Sequence, residues 1–460
     1  MEILDAKQTW GRILLLTAAC FVIPAAVSFA DDGMTLTGRV VDAAGRPIEH
    51  ATVMVYHAGV KKGYSTFCPS CYVDCGKRAI TDAKGLFTFK GLSPDLWFEL
   101  VVAGDGYEPT FVNKADPSSG ALVTATLMHR QSLSDPSRVF RGRVEDSRSF
   151  ALRDAVVQPI GVVDSTTGAS KVGTIKGMDP MAVSNQNGEF GIAYSQPGVK
   201  ILVSIEARGM APTFATIPAG VERHRITVTE GATIRGRLVQ GGNPVGNAEV
   251  GLIGRPRGRY GPNLELFGYP YDEIRIGTRP DGTFAITNVP APADWYIYGK
   301  MESLATRGAT GAIECATRHD REIVDLGDIQ VKPAHHLRGR VVLSDGQPIP
   351  NGMRVYIDSE RTWDGQTAML PPDGRFEFVG LAAGRYTVSA DVKGYTVPKD
   401  PVSVSVKNEE GTVSTTTYPS RAAMPFSIDR DIDDFVTTLY PENEPSLTGK
   451  NSAASKLDLR

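Results

Sequence analysis

Short runs in which apolar and polar residues alternate recur along the chain and predict β-strands. In the first run, Leu36, Gly38 and Val40 share one face of an extended strand, while Thr37 and Arg39 share the other. Three later segments repeat this run at intervals of about a hundred residues. The four copies are Leu36–Val41, Arg141–Glu145, Arg235–Val239 and Arg338–Val342. This spacing predicts a tandem array of units, each with its own hydrophobic core.

A second motif follows each copy and predicts a tight hairpin turn. It combines Asp or Asn with Gly, residues that tolerate the positive φ angles of such turns, and it ends on an aromatic residue. Its four occurrences are Asp82–Phe87, Asn185–Phe190, Asp281–Phe284 and Asp373–Phe376. We expect the aromatic ring to point into the core of its unit. A turn-rich, all-β protein follows, and the 48 glycines and 30 prolines agree with it.

The repeats divide the chain into predicted domains joined by short linkers. The predicted boundaries are 1–30 for a signal peptide, 33–130, 138–230, 232–332 and 336–410 for four β-sandwiches, and 411–460 for a partly disordered C-terminal extension. Linkers such as Ser132–Arg138 leave little slack between the sandwiches. We therefore expect a string of domains with limited bending.

The N-terminal residues predict export. Lys7 and Arg12 precede an apolar run over Ile13–Val27, and Ser28–Ala30 fits a signal-peptidase site. An uncleaved anchor and lipidation at Cys20 are the alternatives, and membrane contact would arise only through such an uncleaved segment. The mature protein is expected to be periplasmic, on the cell surface or extracellular.

The charge balance separates this chain from nucleic-acid-binding proteins. Lys and Arg number 49 against 52 Asp and Glu, which leaves a formal net charge of −3. An electrostatic footprint for a nucleic-acid partner is therefore not indicated.

The order of motifs within a unit resembles the carboxypeptidase regulatory-like domain. This order is the opening strand, a Gly-x-Pro turn, the hairpin turn and a late Gly-Tyr pair. The first unit carries Gly38, Pro47, Asp82–Phe87 and Gly106–Tyr107, and the fourth carries Gly339, Pro348, Asp373–Phe376 and Gly394–Tyr395. The third unit matches less well and the second least. The resemblance implies transthyretin- or Ig-like β-sandwiches, grouped with carbohydrate-binding-like folds, that serve as non-catalytic modules of exported proteins. A fold alone does not establish an activity.

Three cysteines lie within eight residues of a long insertion in the first unit. In an exported chain, Cys68, Cys71 and Cys75 predict a disulfide, which would restrain the loop. We expect Cys71–Cys75 or Cys68–Cys75, and the sequence does not decide the pair. A redox-active Cys-x-x-Cys motif and a metal site are the other interpretations.

The candidate ligand-binding residues are aromatic and basic side chains of the third unit, with one tryptophan in the fourth. They are Arg257, Arg259, Tyr260, Phe267, Tyr269, Tyr271 and Trp363. Exposed aromatic rings can stack on sugar rings or anchor a protein, and arginine can bind hydroxyl or carboxylate groups. The alternative is an inserted loop whose aromatic residues fold back onto the sandwich.

Catalytic motifs are weak in this sequence. His319–Glu322 matches the His-x-x-Glu of zinc carboxypeptidases, but no histidine follows His336 to complete such a site. We expect no catalytic residues, cofactor or metal. The predicted function is binding or scaffolding, with polysaccharide or an envelope protein as partner. A purely structural spacer or protein-interaction module is the alternative, and a metallocarboxypeptidase-type enzyme the least favoured one.

Overall fold

The computed structural model describes residues 33–130, 135–220, 222–255, 273–397, 402–407, 413–418 and 426–442. Strands form nearly all of its regular structure, and the predicted all-β class is confirmed. The α-helix that these residues contain is α1, Met301–Leu304, a single turn. Two 3-10 turns are Pro117–Ser119 and Pro136–Arg138. The predicted signal peptide lies outside the described residues.

Four large hydrophobic cores divide the described strands into four units. Unit 1 contains β1 (Met34–Asp42), β2 (Thr52–Val60), β3 (Arg78–Ile80), β4 (Leu86–Leu92), β5 (Leu96–Ala103), β6 (Thr110–Ala115) and β7 (Val123–Leu127). Unit 2 contains β8 (Val139–Asp146), β9 (Val156–Asp164), β10 (Ser170–Val172), β11 (Ala182–Val183), β12 (Glu189–Ala193), β13 (Val199–Glu206), β14 (Thr213–Pro218) and β15 (His224–Val228).

The other two units follow the same plan. Unit 3 contains β16 (Ala232–Gln240), β17 (Asn243–Pro244), β18 (Glu249–Gly254), β19 (Ile274–Gly277), β20 (Thr283–Val289), β21 (Ala293–Gly299), β22 (Ile313–Thr317) and β23 (Ile323–Gln330). Unit 4 contains β24 (His335–Leu343), β25 (Arg354–Ser359), β26 (Gly365–Met369), β27 (Arg375–Leu381), β28 (Gly384–Asp391), β29 (Tyr395–Thr396), β32 (Phe426–Ile428) and β33 (Ile432–Pro441). Between β29 and β32 in the sequence, β30 (Val402–Lys407) and β31 (Val413–Tyr418) pair with each other in a separate two-stranded sheet.

Each unit packs two sheets around its core. The sheet that holds the opening strand has the order β4-β1-β7, β12-β8-β15 or β27-β24-β33-β29, and in unit 3 β16 pairs with β17, β20 and β23. The facing sheets are β3-β2-β5-β6, β10-β9-β13-β14, β19-β18-β21-β22 and β26-β25-β28-β32. In every unit the opening strand pairs in parallel with a late strand and antiparallel with the hairpin strand. The opening strand therefore lies inside its sheet, which explains why its pattern recurs.

The repeated glycine and the repeated aromatic residue are direct cross-strand partners in all four units. The pairs are Gly38–Phe87, Gly142–Phe190, Gly236–Phe284 and Gly339–Phe376. Each ring is buried and lies against its glycine, where a Cβ atom would collide with it. The expectation that these rings enter the core is confirmed. Glycine recurs because it provides the space that the opposite ring occupies.

The arginines beside the repeated glycine form ion pairs across the sheet. In unit 3, Arg237 Nη2 lies 2.8 Å from Asp328 and Arg235 Nη2 lies 2.8 Å from Asp325, both on the parallel strand β23. In unit 4, Arg338 contacts Glu377 on the antiparallel neighbour β27. In units 3 and 4 the repeated arginines therefore contribute to sheet pairing. In units 1 and 2 they differ, since Arg39 and Arg141 donate to the backbone carbonyl oxygens of Lys84 and Gly220.

The fourth unit extends beyond its predicted end at residue 410. Phe426–Ile428 pairs with β28, and Ile432–Pro441 runs parallel to β24 inside the first sheet. These strands lack the repeated motifs, and Leu439 contributes a buried side chain to the core. Contacts also join units that are not neighbours in the sequence. The insertion of unit 1 reaches unit 3, where Gly277 N donates to Ser65 O at 2.5 Å.

Candidate functional site

A cleft of about 880 Å³ lies where the four units meet. Unit 1 contributes β2 and the insertion after it, unit 2 the outer faces of β9, β13 and β14, and unit 3 the segments around β19 and β20. Trp363, in the loop after β25, represents unit 4. A concave site of this size, lined by apolar side chains and several polar groups, has the general character of a ligand-binding cleft.

Alternation along β13 explains which side chains of unit 2 form its part of the cleft wall. On β13, Ile201, Val203 and Ile205 enter the core of unit 2. Their neighbours on the opposite face of the strand line the cleft, namely Leu202, Ser204 and Glu206. The sequence predicts that two faces exist, but it does not indicate that other units enclose the outer one.

A β-bulge in β2 places adjacent polar side chains on the cleft wall. The register between β2 and β5 shifts between Val55 and His57, which leaves Tyr56 as the additional residue. Tyr56 Oη donates to Glu206 Oε2 at 2.5 Å. His57 lies between two carboxylates, with Nδ1 3.0 Å from Glu99 and Nε2 3.5 Å from Glu206. The cluster joins unit 1 to unit 2.

The chemistry of this cluster favours a structural contact. Burial raises the pKa of Tyr56, and the Glu206 carboxylate raises it further, so the phenol stays protonated at neutral pH. A protonated phenol that already donates to a carboxylate is a poor nucleophile. His57 likewise has a carboxylate near each ring nitrogen. Each group is engaged by another member of the cluster.

A buried ionic network joins unit 3 to unit 4 and holds Trp363. Lys300 Nζ lies 2.8 Å from Glu273 and 3.2 Å from Asp364, and the three side chains are only 8%, 4% and 5% exposed. Lys300 also donates to the carbonyl oxygen of Trp363 at 2.8 Å, and the backbone N–H of Trp363 donates to Tyr298 Oη at 3.2 Å. Both backbone polar groups of Trp363 are therefore fixed, while its side chain stays 46% exposed.

The cysteine-containing insertion forms another part of the cleft wall. Cys68 and Cys71 form a disulfide, and Cys75 is a buried free thiol. The predicted disulfide is confirmed, but both expected pairings, Cys71–Cys75 and Cys68–Cys75, were wrong. Cys75 instead packs in the core of unit 1, and its thiol lies 3.3 Å from Pro69 O. Burial raises the pKa of Cys75 to about 11, which makes this thiol unreactive near neutral pH.

The disulfide-bonded insertion connects three units. Cys71 Sγ lies 3.6 Å from Thr287 Oγ1 of unit 3, and the Arg208 side chain of unit 2 packs against Gly76. We expect the double change Cys68→Ser and Cys71→Ser to speed amide hydrogen exchange at Gly277, which donates to the insertion, by about tenfold. Mass-spectrometric exchange on the full chain measures this effect.

The matched control is Cys315→Ser, since Cys315 forms no disulfide and belongs to β22. It should leave the exchange at Gly277 unchanged. If the double variant loosens residues 61–77 while Gly277 keeps its protection, the disulfide restrains only its own loop.

The predicted binding residues divide into two groups. Trp363 lies in the cleft. Arg257, Arg259, Tyr260, Phe267, Tyr269 and Tyr271 lie outside the described residues, and their role stays a prediction. Glu273, the first described residue after them, lines the cleft. In the His319–Glu322 motif, Glu322 accepts hydrogen bonds from the backbone N–H groups of Arg318 and His319, which is a turn contact.

Metal-binding clusters and membrane-spanning helices are both absent from the described residues. Within the described ranges, no group of three or more His, Cys, Asp or Glu side chains is arranged to hold a metal ion. The described part of the chain also contains no helix with the length and apolar character needed to span a membrane.

Two regions of the chain match a known protein family. The family model of the carboxypeptidase regulatory-like domain matches residues 35–128 and 336–417. The two ranges correspond to unit 1 and to most of unit 4, the units in which the motifs are most complete. The resemblance is confirmed for these two regions, and its extension to units 2 and 3 stays a prediction. No curated protein matches the chain.

Several solved structures share a low level of similarity with this chain. The Bacillus anthracis TIE protein is 10% identical over 85% of this chain and 68% of its own, with a TM-score of 0.18. A streptococcal ancillary pilin is 12% identical over 66% of this chain and 100% of its own, with a TM-score of 0.22. The minor pilin GBS52 of Streptococcus agalactiae is 11% identical over 48% and 100%, with a TM-score of 0.21. Values this low carry no argument about function.

Proposed function

We propose that this chain is an exported, non-catalytic binding protein whose ligand occupies the cleft between its units, and that the ligand is a carbohydrate. The observation that carries the proposal is the cleft itself, to which all four units contribute. The Cys68–Cys71 disulfide supports export, because such bonds persist in oxidising compartments.

Carbohydrate is favoured as the ligand class by the side chains of the cleft. Trp363 presents an exposed side chain from a fixed backbone, and Phe214 of unit 2 also lines the cleft. Amide, hydroxyl and guanidinium groups lie between apolar residues, a mixture that suits the two kinds of surface of a sugar ring. The regulatory-like family, grouped with carbohydrate-binding-like folds, supports the same class for the two matched regions. Tyr260 and Tyr269 belong to the proposal as further stacking residues.

A structural spacer or protein-interaction module is the second candidate. It is favoured by ion pairs that hold neighbouring units together. Between units 1 and 2, Arg78 forms two hydrogen bonds with Asp154, at 2.9 and 2.8 Å, and Arg130 contacts the buried Asp179. Under this alternative the cleft would bind no glycan.

Replacing Trp363 with alanine separates the two candidates. We expect the variant to bind insoluble polysaccharides or an arrayed glycan at least about tenfold more weakly than the parent chain, because a stacking surface is lost. Depletion assays across a polysaccharide panel measure the effect, and Tyr260→Ala and Tyr269→Ala test the neighbouring loop. A matched control is Phe150→Ala, which removes another exposed aromatic ring outside the cleft. If the parent chain binds no glycan, the carbohydrate proposal is rejected and the spacer remains.

A further inference from the structure

The cleft wall that unit 2 contributes carries a row of three side chains across adjacent strands. Gln158 on β9 is the cross-strand partner of Ser204 on β13, and Ser204 is the partner of Phe214 on β14. All three line the cleft. Directly opposed residues on one face of an antiparallel sheet have Cβ atoms about 5 Å apart. An amide, a hydroxyl and an aromatic ring are thus presented side by side.

The polar members of this row are available to a ligand. In the described part of the chain, neither the Gln158 amide nor the Ser204 hydroxyl makes a hydrogen bond with protein. Buried or half-buried polar groups normally find partners, and an aqueous cleft leaves that role to water or ligand. The row therefore offers donors and acceptors beside an apolar ring, as a pyranose requires.

Arg208 provides the positive charge at the edge of the same wall. It follows β13 by two residues, is exposed, and has no carboxylate within ion-pair distance among the residues that the structure describes. The other cleft arginines differ, since Arg153 lies 3.1 Å from Asp154 and Arg275 lies 2.6 Å from Glu273. Arg208 is held by packing against Gly76 of the insertion and by a long hydrogen bond, 3.5 Å, from Nη2 to the carbonyl oxygen of Tyr72. Its guanidinium group is positioned and lacks a counter-ion.

The cleft carboxylates are already engaged by donors. Glu206 accepts from Tyr56, Asp154 accepts from Arg78, and Glu273 contacts both Lys300 and Arg275. A ligand that brings its own carboxylate to Arg208 gains a charge-assisted, bidentate contact, which is stronger than a bond between neutral groups. A neutral sugar would leave this guanidinium group without a counter-ion.

From this geometry we propose that the cleft prefers an acidic saccharide, a sugar that carries a carboxylate. The proposal rests on the proposed function and refines its ligand class. Arg208 binds the carboxylate of this sugar, and Ser204 and Gln158 bind its hydroxyl groups.

The experiment compares acidic and neutral oligosaccharides of matched length on the full exported chain. Oligogalacturonate is the acidic probe, malto- and cello-oligosaccharides are the neutral probes, and isothermal titration measures affinity. We expect oligogalacturonate to bind at least about tenfold more tightly, with a preference that falls as sodium chloride is raised. Arg208→Gln should remove this preference, so that the acidic and neutral probes bind with similar affinity. Arg153→Gln, a change at a cleft arginine with a protein partner, should keep the preference.

The outcomes distinguish this inference from the proposed function. The acidic ligand class is rejected if neutral and acidic sugars bind equally, or if the preference survives in Arg208→Gln. Either result leaves the proposed glycan site untouched. Neutral binding that is lost in Trp363→Ala would then still support the cleft as a glycan site. If none of the probes or the wider polysaccharide panel binds, both proposals are rejected. Free galacturonate serves as an arm that separates recognition of any small carboxylate from recognition of a saccharide chain.

Discussion

Replacement of Lys300 with methionine is expected to lower the free energy of unfolding by about 3–5 kcal/mol. The ammonium group is the cation that joins Glu273 and Asp364 across units 3 and 4, and all three side chains are buried. Burial raises the pKa of Asp364 while the Lys300 charge opposes that shift, so the charged carboxylate depends on the lysine. Removal of one partner leaves a buried charge without compensation, which is the costly case for an ion pair. Urea unfolding followed by tryptophan fluorescence measures the loss, because Trp295 lies in the core of unit 3.

The control is an ion pair of similar length at the surface. Arg321 Nη2 lies 2.6 Å from Glu230, and the two side chains are 54% and 45% exposed. Arg321→Met should cost less than about 1 kcal/mol, because exposed pairs contribute little. Equal losses in the two variants would mean that the buried network does not stabilise the junction. Trp363 should also lose one of its two backbone contacts in Lys300→Met, the one to its carbonyl oxygen, and glycan binding would then fall together with stability.

Replacement of Gly38 with alanine is expected to destabilise unit 1 by about 3 kcal/mol. A Cβ at this position would overlap the Phe87 ring and would lie 2.7 Å from the carbonyl oxygen of Val123 on the parallel strand β7. The ring can move only by leaving its buried site, and the backbone oxygen belongs to the sheet. Overpacking of this kind costs about 1–3 kcal/mol and sometimes more. Urea unfolding followed by Trp97 fluorescence reports on unit 1.

Two glycines of unit 2 serve as comparisons, because an added Cβ would meet less crowding there than at Gly38. At Gly142 the Cβ would overlap the Phe190 ring but would lie 3.3 Å from the nearest carbonyl oxygen, so a smaller loss is expected. At Gly191, on the adjacent strand, the nearest atom is Phe140 O at 3.9 Å. Gly191→Ala should be neutral or slightly stabilising, because alanine restricts the unfolded chain. A Gly38→Ala variant as stable as Gly191→Ala would contradict the packing explanation.

The repeated sequence motifs predicted the elements that depend on local pattern. Alternation identified the opening strand, and the Asp-Gly and Asn-Gly turns identified the hairpin strand with its inward aromatic residue. That the glycine faces this aromatic residue in every unit was not predicted, because register depends on pairing between segments distant in the chain. The strands Phe426–Ile428 and Ile432–Pro441 were not assigned to the fourth unit, because strands without a repeated motif are placed only through their partners.

The pairing of the cysteines is a second feature that the sequence left undecided. Their clustering in an exported chain was enough to predict a disulfide, but the choice of partners depends on which side chain the core of unit 1 takes up. Cys75 is buried in that core, which leaves Cys68 and Cys71 to pair at the surface of the insertion. Spacing alone left several pairings possible.

The amino-acid sequence by itself determined the class of fold, because period-two alternation, glycine turns and a repeat of about a hundred residues are local properties of the chain. Only the tertiary structure decided that the outer face of β13 is a cleft wall and that Trp363 lines the same cleft. The physical reason is that a site between units is built from residues up to three hundred positions apart, each with an ordinary local pattern. Their chemistry arises from juxtaposition, and the ionic network around Lys300 fixes that arrangement at the junction of units 3 and 4.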